Sequence, residues 1–456
     1  MTLSIVILAA GQGKRMYSQL PKVLHRLAGK TLLEHVVHTA EKLSPTHSPI
    51  VIYGHQGDIV RHHLNDLNVV WVEQAQQLGT GHALLQALPH IPEDNRVLCL
   101  YGDVPLISAD TLQYFTQTTP ENALGIITAT LAQPKGLGRI IRNDKGDITC
   151  IIEDKDLADI QRNIHEINSG ICLFPAKFLQ KALTFLENNN AQNEYYLTDT
   201  VKIATQQHIP IHSIQPFSAD EILGINDKIQ LAQLERSYQR QYAEKLMRQG
   251  VVVMDPNRLD IRGELIAGQD VMLDINVIIE GHVRIGNHCI IGPNTILRNT
   301  VIQDHVEIKA NSVIDGAEIA SHCNIGPFAR IRPGTVLAAH SHIGNFVEIK
   351  NSAIGEGSKV NHLSYIGDST VGVKVNIGAG TITCNYDGVN KSRTYIGDGA
   401  FIGSNSSLVA PLTIGEYATI GAGSIITKDA PAQQLTLCRV QQRSIENWRR
   451  PVKKES

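Results

Sequence analysis

The sequence predicts two folds in one chain: an α/β domain built on a parallel sheet, and a parallel β-helix, with a linking helix between them. Three observations predict this. Short apolar runs alternate with helical patterns over residues 1–226. A charged amphipathic stretch follows at 227–250. From Leu273 to Ile426 an aliphatic residue then recurs every six positions, with a few five-residue steps and one gap before Ile396, a spacing that neither a helix nor a simple strand produces. At 456 residues the chain exceeds what one core ordinarily supports, so domains at 1–226 and 251–456, joined by 227–250, are expected.

The α/β part opens with the apolar run 4–8, which ends at Ala9-Ala10-Gly11-Gln12-Gly13-Lys14-Arg15-Met16. A strand followed by a glycine-rich turn presents backbone N–H groups to phosphates. Met16 stands where the third glycine of a dinucleotide-binding turn belongs, so that site is rejected. What remains is a turn carrying Lys14 and Arg15, with Pro21-Lys22 close behind; solvated charge on a tight turn is the bland alternative. A helix is expected near 31–43, a strand at 50–53, a helix at 57–66 and a strand at 69–72, the alternation of a parallel sheet covered on both faces. Gln74 to Ala83 reads as a loop whose glycines admit a ligand, with a helix starting near Ala83. The strand 96–101 runs into Gly102-Asp103. A carboxylate at the carboxyl end of a buried strand faces the ligand crevice of an open α/β sheet and suits Mg²⁺; a turn or N-cap role is the alternative. A hairpin over 136–153, a strand at 166–174, a helix opened by 193–199, and Asn226, whose amide could complete a metal or sugar site, finish this part.

The stretch 227–249 places Leu231, Leu234, Tyr238, Tyr242 and Leu246 at three- and four-residue steps, with Gly250 as its stop, so it reads as a helix packing through that stripe. In the repeat region each hexad supplies one short strand and a turn, three hexads close a triangular coil, and stability comes from stacking coils. Arg330, Arg332 and Lys350 flank inward positions and therefore face out, as solvated surface charges also do. His362 offers an imidazole, the side chain suited to general-base work near neutrality, although most of 19 histidines need be no more than surface. The register breaks between Ile377 and Ile396, at a loop carrying Asn385, Tyr386 and Lys391, and insertions in repeat arrays often form the binding face.

Composition excludes several classes. Lys plus Arg number 41 against 44 acids, a formal net charge of −3, which lacks the basic footprint of a nucleic-acid binder; the short basic tail around Trp448–Lys454 is too small to change this. Seven scattered cysteines without a CxxC pair read as reduced thiols, with neither zinc site nor disulfide framework. The N-terminal residues read as a strand rather than a signal peptide, and no apolar run reaches membrane-spanning length. A cytoplasmic protein without membrane insertion is expected.

Several motifs together carry a family resemblance: LAAGQGKRM with PKVLH (8–25), QLGTGHA (77–83), YGDVPL (101–106), EINSGI (166–171), NEYYLTD (193–199), IGPFARIRPG (325–334), IGNFVEIK (343–350), NIGAGTITCNYDG (376–388) and WRRPVKK (448–454). Over essentially its full length the chain resembles the bacterial bifunctional N-acetylglucosamine-1-phosphate uridylyltransferases/glucosamine-1-phosphate acetyltransferases. The first motif is common to many sugar-phosphate nucleotidyltransferases, whereas its combination with NIGAGTITCNYDG is specific. Gln12-Gly13-Lys14 departs from the family's frequent lysine-glycine-threonine but leaves Gly11 and Arg15 in place.

The resemblance implies a Rossmann-like nucleotidyltransferase domain, a linking helix and a left-handed β-helix. It also implies two activities: acetyl transfer from acetyl-CoA to glucosamine 1-phosphate, then uridylyl transfer from UTP to N-acetylglucosamine 1-phosphate with release of pyrophosphate, feeding cell-wall synthesis. Carried over by motif, Leu8, Ala9, Ala10, Gly11, Tyr101 and Gly102 line the nucleotide turn, and Arg15 and Lys22 offset phosphate charge in catalysis. Gln74, Gly79 and Thr80 read the uracil, Gly138, Glu153 and Asn168 hold the sugar, and Asp103 and Asn226 hold Mg²⁺. In the second half His362 is the base, and Arg332, Lys350, Tyr365 and Asn376 bind glucosamine 1-phosphate. Asn385 helps place the sugar and, with Ala379, Tyr386, Ser404, Ala422 and Arg439, meets acetyl-CoA. A homotrimer with acetyl sites shared between subunits is implied as well. The competing readings are a nucleotidyltransferase whose β-helix only oligomerises or binds an effector, and a non-enzymatic scaffold that binds sugar nucleotides.

Overall fold

A computed structural model describes residues 2–45 and 47–453, so Lys454 of the basic tail lies outside the described residues. The chain divides into two compact units, one ending at Tyr238 and the other beginning at Gln239, a division that falls inside the helix Lys228–Arg248.

The first unit is a nine-stranded sheet. Its strands are β1 (Leu3–Leu8), β2 (Ile50–Tyr53), β3 (Val70–Glu73), β4 (Arg96–Tyr101), β5 (Leu124–Thr130), β6 (Arg139–Arg142), β7 (Ile148–Ile152), β8 (Glu166–Pro175) and β9 (Ile211–Ile214). The order is β9-β5-β8-β4-β1-β2-β3, with the hairpin β6–β7 attached to β8. Side chains on alternate faces explain why the central runs are apolar throughout. Val6, Ile52, Val97 and Cys99 pack with Leu84, Phe178 and Leu179 on one face, while Ile5, Ile7, Val51 and Leu98 pack with Leu33, Val37, Leu112 and Phe115 on the other. Helix Leu32–Glu41 starts where a Thr31–Glu34 capping box satisfies its first N–H groups.

Two expectations are corrected here. The sheet is mixed rather than wholly parallel, because β8 runs antiparallel to both β4 and β5. Between β5 and β8 the chain forms the β6–β7 hairpin instead of a crossover helix, and parallel pairing needs such a crossover. The helix expected near Ala83 begins at Thr80, since Gly79 at φ 113 already turns the chain into it. Two helices, Ala109–Thr118 and Ala176–Thr184, add to those read from the sequence.

The second unit is a left-handed parallel β-helix. One face is an eleven-stranded ladder and the other two form a continuous seventeen-stranded one. Ile279 pairs with Leu297 and Ile285 with Ile302, so a coil typically returns to register after 18 or 17 residues, whereas Val371 meets Ile396 only after 25, across the insertion. Every aliphatic residue of the six-residue repeat from Leu273 to Ile426 is buried. Corners fall at left-handed residues, many of them Asn or His, such as His288 (φ 55), Asn294 (φ 58) and Asn311 (φ 60), which tolerate that conformation better than most non-glycine residues. The register break is narrower than expected. Thr383, six residues after Ile377, is a buried inward position, and its strand Ile382–Cys384 pairs with the coils on both sides. The true insertion therefore lies between Asn385 and Thr394.

Candidate active sites

Strands β1 and β4 end side by side: Leu8 is the register partner of Tyr101, and the Gly102 N–H donates to the Leu8 carbonyl at 2.9 Å. The turns Ala9–Gly11 and Gly102–Asp103 thus open at one end of the sheet. Space is open where a Cβ of Gly11 would point, as close approach of a ligand requires. Gly13, at φ 60, packs against the stem of Lys22. Lys22 Nζ donates both to Asp103 Oδ2 and, at 3.1 Å, to Asn226 Oδ1, so three residues far apart in sequence converge. Arg15 stands apart from them, exposed on the short turn Lys14–Met16.

Asp103 and Asn226 aim one carboxylate and one amide oxygen at a single cation, the Lys22 ammonium. Few hard oxygens, with further positions left for phosphate oxygens, form the donor set that fits Mg²⁺. No cluster of three or more His, Cys, Asp or Glu suited to a metal cage occurs among the described residues.

Gln74 is buried, and its amide donates to the Gly79 carbonyl at 3.1 Å. A Cβ on Gly79 would collide with the Tyr195 backbone, so that loop packs too closely for another residue. The Thr80 hydroxyl accepts from the Leu197 N–H at 3.0 Å and so ties the loop to the NEYYLTD segment. Farther along, the Asn168 N–H donates to the Gly138 carbonyl at 2.9 Å, and Glu153 lies against Gly138. Burial pushes the Glu153 carboxyl up, partly offset by the Thr198 hydroxyl donating to it at 3.0 Å.

On the β-helix, the residues before successive left-handed corners form a single file, one per coil: Asn345, His362, Ala379, Ser404 and Ala422. The file is fixed by backbone bonds from one coil to the next: Leu363 N–H to Asn345 O, Gly380 N–H to His362 O, Asn405 N–H to Ala379 O, and Gly423 N–H to Ser404 O. His362 Nδ1 lies 2.8 Å from Asn345 Oδ1. Arg439 closes the far end by donating to the Ala422 carbonyl at 3.0 Å.

A second cluster gathers at the next corner. Lys350 Nζ lies 3.2 Å from Asp368 Oδ2, Asn351 donates to the same carboxylate at 2.6 Å, and Asn385 donates to it too. Arg332 pairs with Glu348 at 2.8 Å. Tyr365 lies over Gly367, where any side chain would collide with its hydroxyl. Asn376 sits on another face, on the strand Asn376–Ile377 between Lys359 and Phe401. Tyr386 is exposed on the inserted loop and donates to the Gly388 carbonyl.

The arrangement thus joins Lys22 with Asp103 and Asn226, Gln74 with Gly79, Gly138 with Glu153 and Asn168, and His362 with Ala379, Ser404 and Ala422. Lys350 and Asn385 meet on Asp368, while Arg15, Arg332, Tyr365, Asn376 and Tyr386 stand outside these clusters. Asn345, Glu348 and Asp368 were not singled out by motif. The coil period could have found them, since Asn345 precedes His362 by 17 residues and Asp368 follows Lys350 by 18.

Three family models match the chain: the MobA-like NTP transferase domain at residues 5–193, the GMPPB C-terminal domain at 261–343, and the bacterial transferase hexapeptide (six repeats) at 393–428. A bifunctional protein GlmU from Marinobacter nauticus is 52% identical over 451 residues, covering 99% of each chain. The chain belongs to the bifunctional GlmU family. Two solved structures align with about half of it. They are a UDP-glucose pyrophosphorylase complexed with UDP-glucose (15% identity, 53% of this chain and 100% of that one, TM-score 0.43) and a nucleotidyl transferase from Methanothermobacter thermautotroptrophicus (19% identity, 53% and 99%, TM-score 0.40). As a GlmU homologue the chain is a bifunctional transferase, a nucleotidyltransferase in its first unit and a hexapeptide acyltransferase in its second. No helix among the described residues is long and apolar enough to cross a membrane.

Proposed function

We propose that the two clusters divide the labour of this GlmU enzyme: the second unit acetylates glucosamine 1-phosphate, and the first joins the product to UMP from UTP. The observation that carries this reading is the occurrence in one chain of polar clusters in both units, each in the half whose family model is a transferase.

In the first unit a phosphate oxygen of N-acetylglucosamine 1-phosphate attacks the α-phosphorus of UTP, and the bond to the departing pyrophosphate breaks. Such transfer needs positioning and charge stabilisation more than covalent chemistry. The turn Leu8–Gly11 with Tyr101 and Gly102 cradles the nucleotide, Gln74, Gly79 and Thr80 read its base, and Gly138, Glu153 and Asn168 hold the sugar. Lys22 and Arg15 stabilise phosphate charge. Asp103 and Asn226 hold Mg²⁺, which when bound neutralises the triphosphate.

In the second unit His362 takes a proton from the sugar ammonium. The freed amine then attacks the thioester carbonyl, the C–S bond breaks, and the departing CoA thiolate takes up the second proton that nitrogen loses as the amide forms. Stacked coils rise about 4.8 Å each, so the three steps from His362 to Ala422 cover roughly 14 Å, which suits an extended pantetheine arm running along the file to Arg439. Tyr386 and Asn385 flank the cofactor, Arg332 and Lys350 receive the sugar phosphate, and Tyr365 and Asn376, with Asn385, place the sugar.

Amine and phosphate sit on adjacent carbons of that sugar. Within one chain, however, His362 and Lys350 lie at successive corners, separated by the strand from Leu363 to Asp368, roughly 15 Å of extended backbone. This supports a homotrimer in which His362 of one subunit works with the phosphate cluster of another. The Phe328 and Phe346 rings, stacked 5.1 Å apart and continued by exposed Leu363, give that corner an apolar surface suited to an interface. The proposed setting is the cytoplasm, with neither nucleic acid nor membrane as partner.

Asp103→Asn tests the division. It is expected to lower pyrophosphate release at least a hundredfold, an order-of-magnitude expectation for loss of a charged phosphate-site group, while CoA release stays at the wild-type rate. Loss of both activities would contradict it.

A further inference from the structure

The buried carboxylate of Asp368 has no place in the reaction as described, yet it touches two of the groups to which that reaction is assigned. It sits in a left-handed corner at φ 47 with only 8% of its side chain exposed. Oδ2 accepts from Lys350 Nζ at 3.2 Å and from Asn385 Nδ2, and Oδ1 accepts from Asn351 Nδ2 at 2.6 Å. Lys350 lies one coil before Asp368 and Asn385 one coil after, so a single carboxylate spans three coils. Asn385 is also the root of the inserted loop: its carbonyl accepts from the Ser392 N–H at 2.9 Å, where the loop returns.

A bare carboxylate beside a phosphate site would repel the substrate. Here its charge is taken up by three donors. A free lysine loses considerable rotamer entropy when it settles on a phosphate, and a charge-assisted hydrogen bond removes part of that loss beforehand. We propose that Asp368 is a positioning residue for acetyl transfer, holding the Lys350 ammonium at the sugar phosphate and setting the root of the acetyl-CoA loop against it. This rests on the assignment of Lys350 to glucosamine 1-phosphate made above.

The test uses the full-length enzyme with Asp368→Asn, Lys350→Ala, the double variant, and Asn351→Gly. The last removes one donor at an exposed corner that glycine accommodates. KM for each substrate and kcat are read from CoA release, with pyrophosphate release and the melting temperature as checks on folding. Asp368→Asn is expected to raise KM for glucosamine 1-phosphate about tenfold with a smaller change in kcat, the size expected when a charge-assisted contact is lost. In the Lys350→Ala background the same change should add less than about twofold, because both act through one ammonium. Asn351→Gly should raise that KM about threefold, which keeps the idea testable if Asp368→Asn does not fold. An unchanged or lowered KM in folded Asp368→Asn overturns the proposal, as does full multiplication of the two effects in the double variant. Should Asp368→Asn not fold, an unchanged KM in Asn351→Gly overturns it. If Lys350→Ala itself leaves KM unchanged, the phosphate assignment fails instead.

Discussion

A histidine acts as a base only through a ring nitrogen with a free lone pair, and the hydrogen bond at the other nitrogen decides which one that is. With Nδ1 donating to Asn345 Oδ1 at 2.8 Å, Nε2 of His362 is the nitrogen that would take the proton in the proposed reaction. Asn345→Ala is therefore expected to lower kcat for acetyl transfer roughly ten- to a hundredfold with little change in either KM, as measured by CoA release. A KM effect alone would mean that Asn345 serves binding instead. Asp368 makes a pH prediction. Burial alone would raise its carboxyl, but donors from Asn351, Asn385 and Lys350 outweigh this and hold it below the ordinary 3.8. A depressed acid contributes stability that is complete above its unfolded value and disappears as pH falls through its folded value. The gap in melting temperature between wild type and Asp368→Asn should thus be constant above about pH 5 and narrow below pH 3.8. A gap that persists at lower pH would deny the carboxylate this role. His362 was legible because it stands next to the break in the hexad register, which sets it apart from the other histidines of the 19. Asn345 and Asp368 were not, since an amide and an acid at a corner read equally well as turn residues until the coil period places them beside a base and an ammonium.

The hexad pattern made nearly every coil legible, because an inward position in a triangular coil tolerates little but an aliphatic side chain. It failed at Thr383 for a specific reason: the hydroxyl accepts from the Gly367 N–H at 2.7 Å and donates to the Gly367 carbonyl at 3.2 Å. A polar residue satisfied by the neighbouring coil can occupy an inward position, which an apolar count does not see. The insertion is accordingly short and lies outside the stack. Replacing residues 387–392 with a tight turn should keep the melting temperature within about 5 °C of wild type, since no core coil is lost, while CoA release falls to background. Large destabilisation would show that the loop belongs to the stack. In the sheet of the first unit, alternation of strand and helix was legible from β1 to β4. The reversal at β8 was not, because its antiparallel neighbour β5 was not read as a strand, and the apolar run of β8 is the same for either direction.

The whole chain pairs two units, each with its own core and its own polar cluster, and each cluster is built by the periodicity of its unit: the shared strand ends of an α/β sheet in one, the one-per-coil file of a β-helix in the other. In the proposed assignment the two transfers share no catalytic group. The most direct measurement follows CoA and pyrophosphate together, in full-length protein supplied with glucosamine 1-phosphate, acetyl-CoA, UTP and Mg²⁺, for wild type and His362→Ala. Wild type should release both. His362→Ala should release neither from glucosamine 1-phosphate, yet release pyrophosphate at the wild-type rate once N-acetylglucosamine 1-phosphate is supplied. Acetyl transfer undiminished in His362→Ala, or pyrophosphate release that N-acetylglucosamine 1-phosphate fails to restore, would contradict two separate sites with His362 as the base of one.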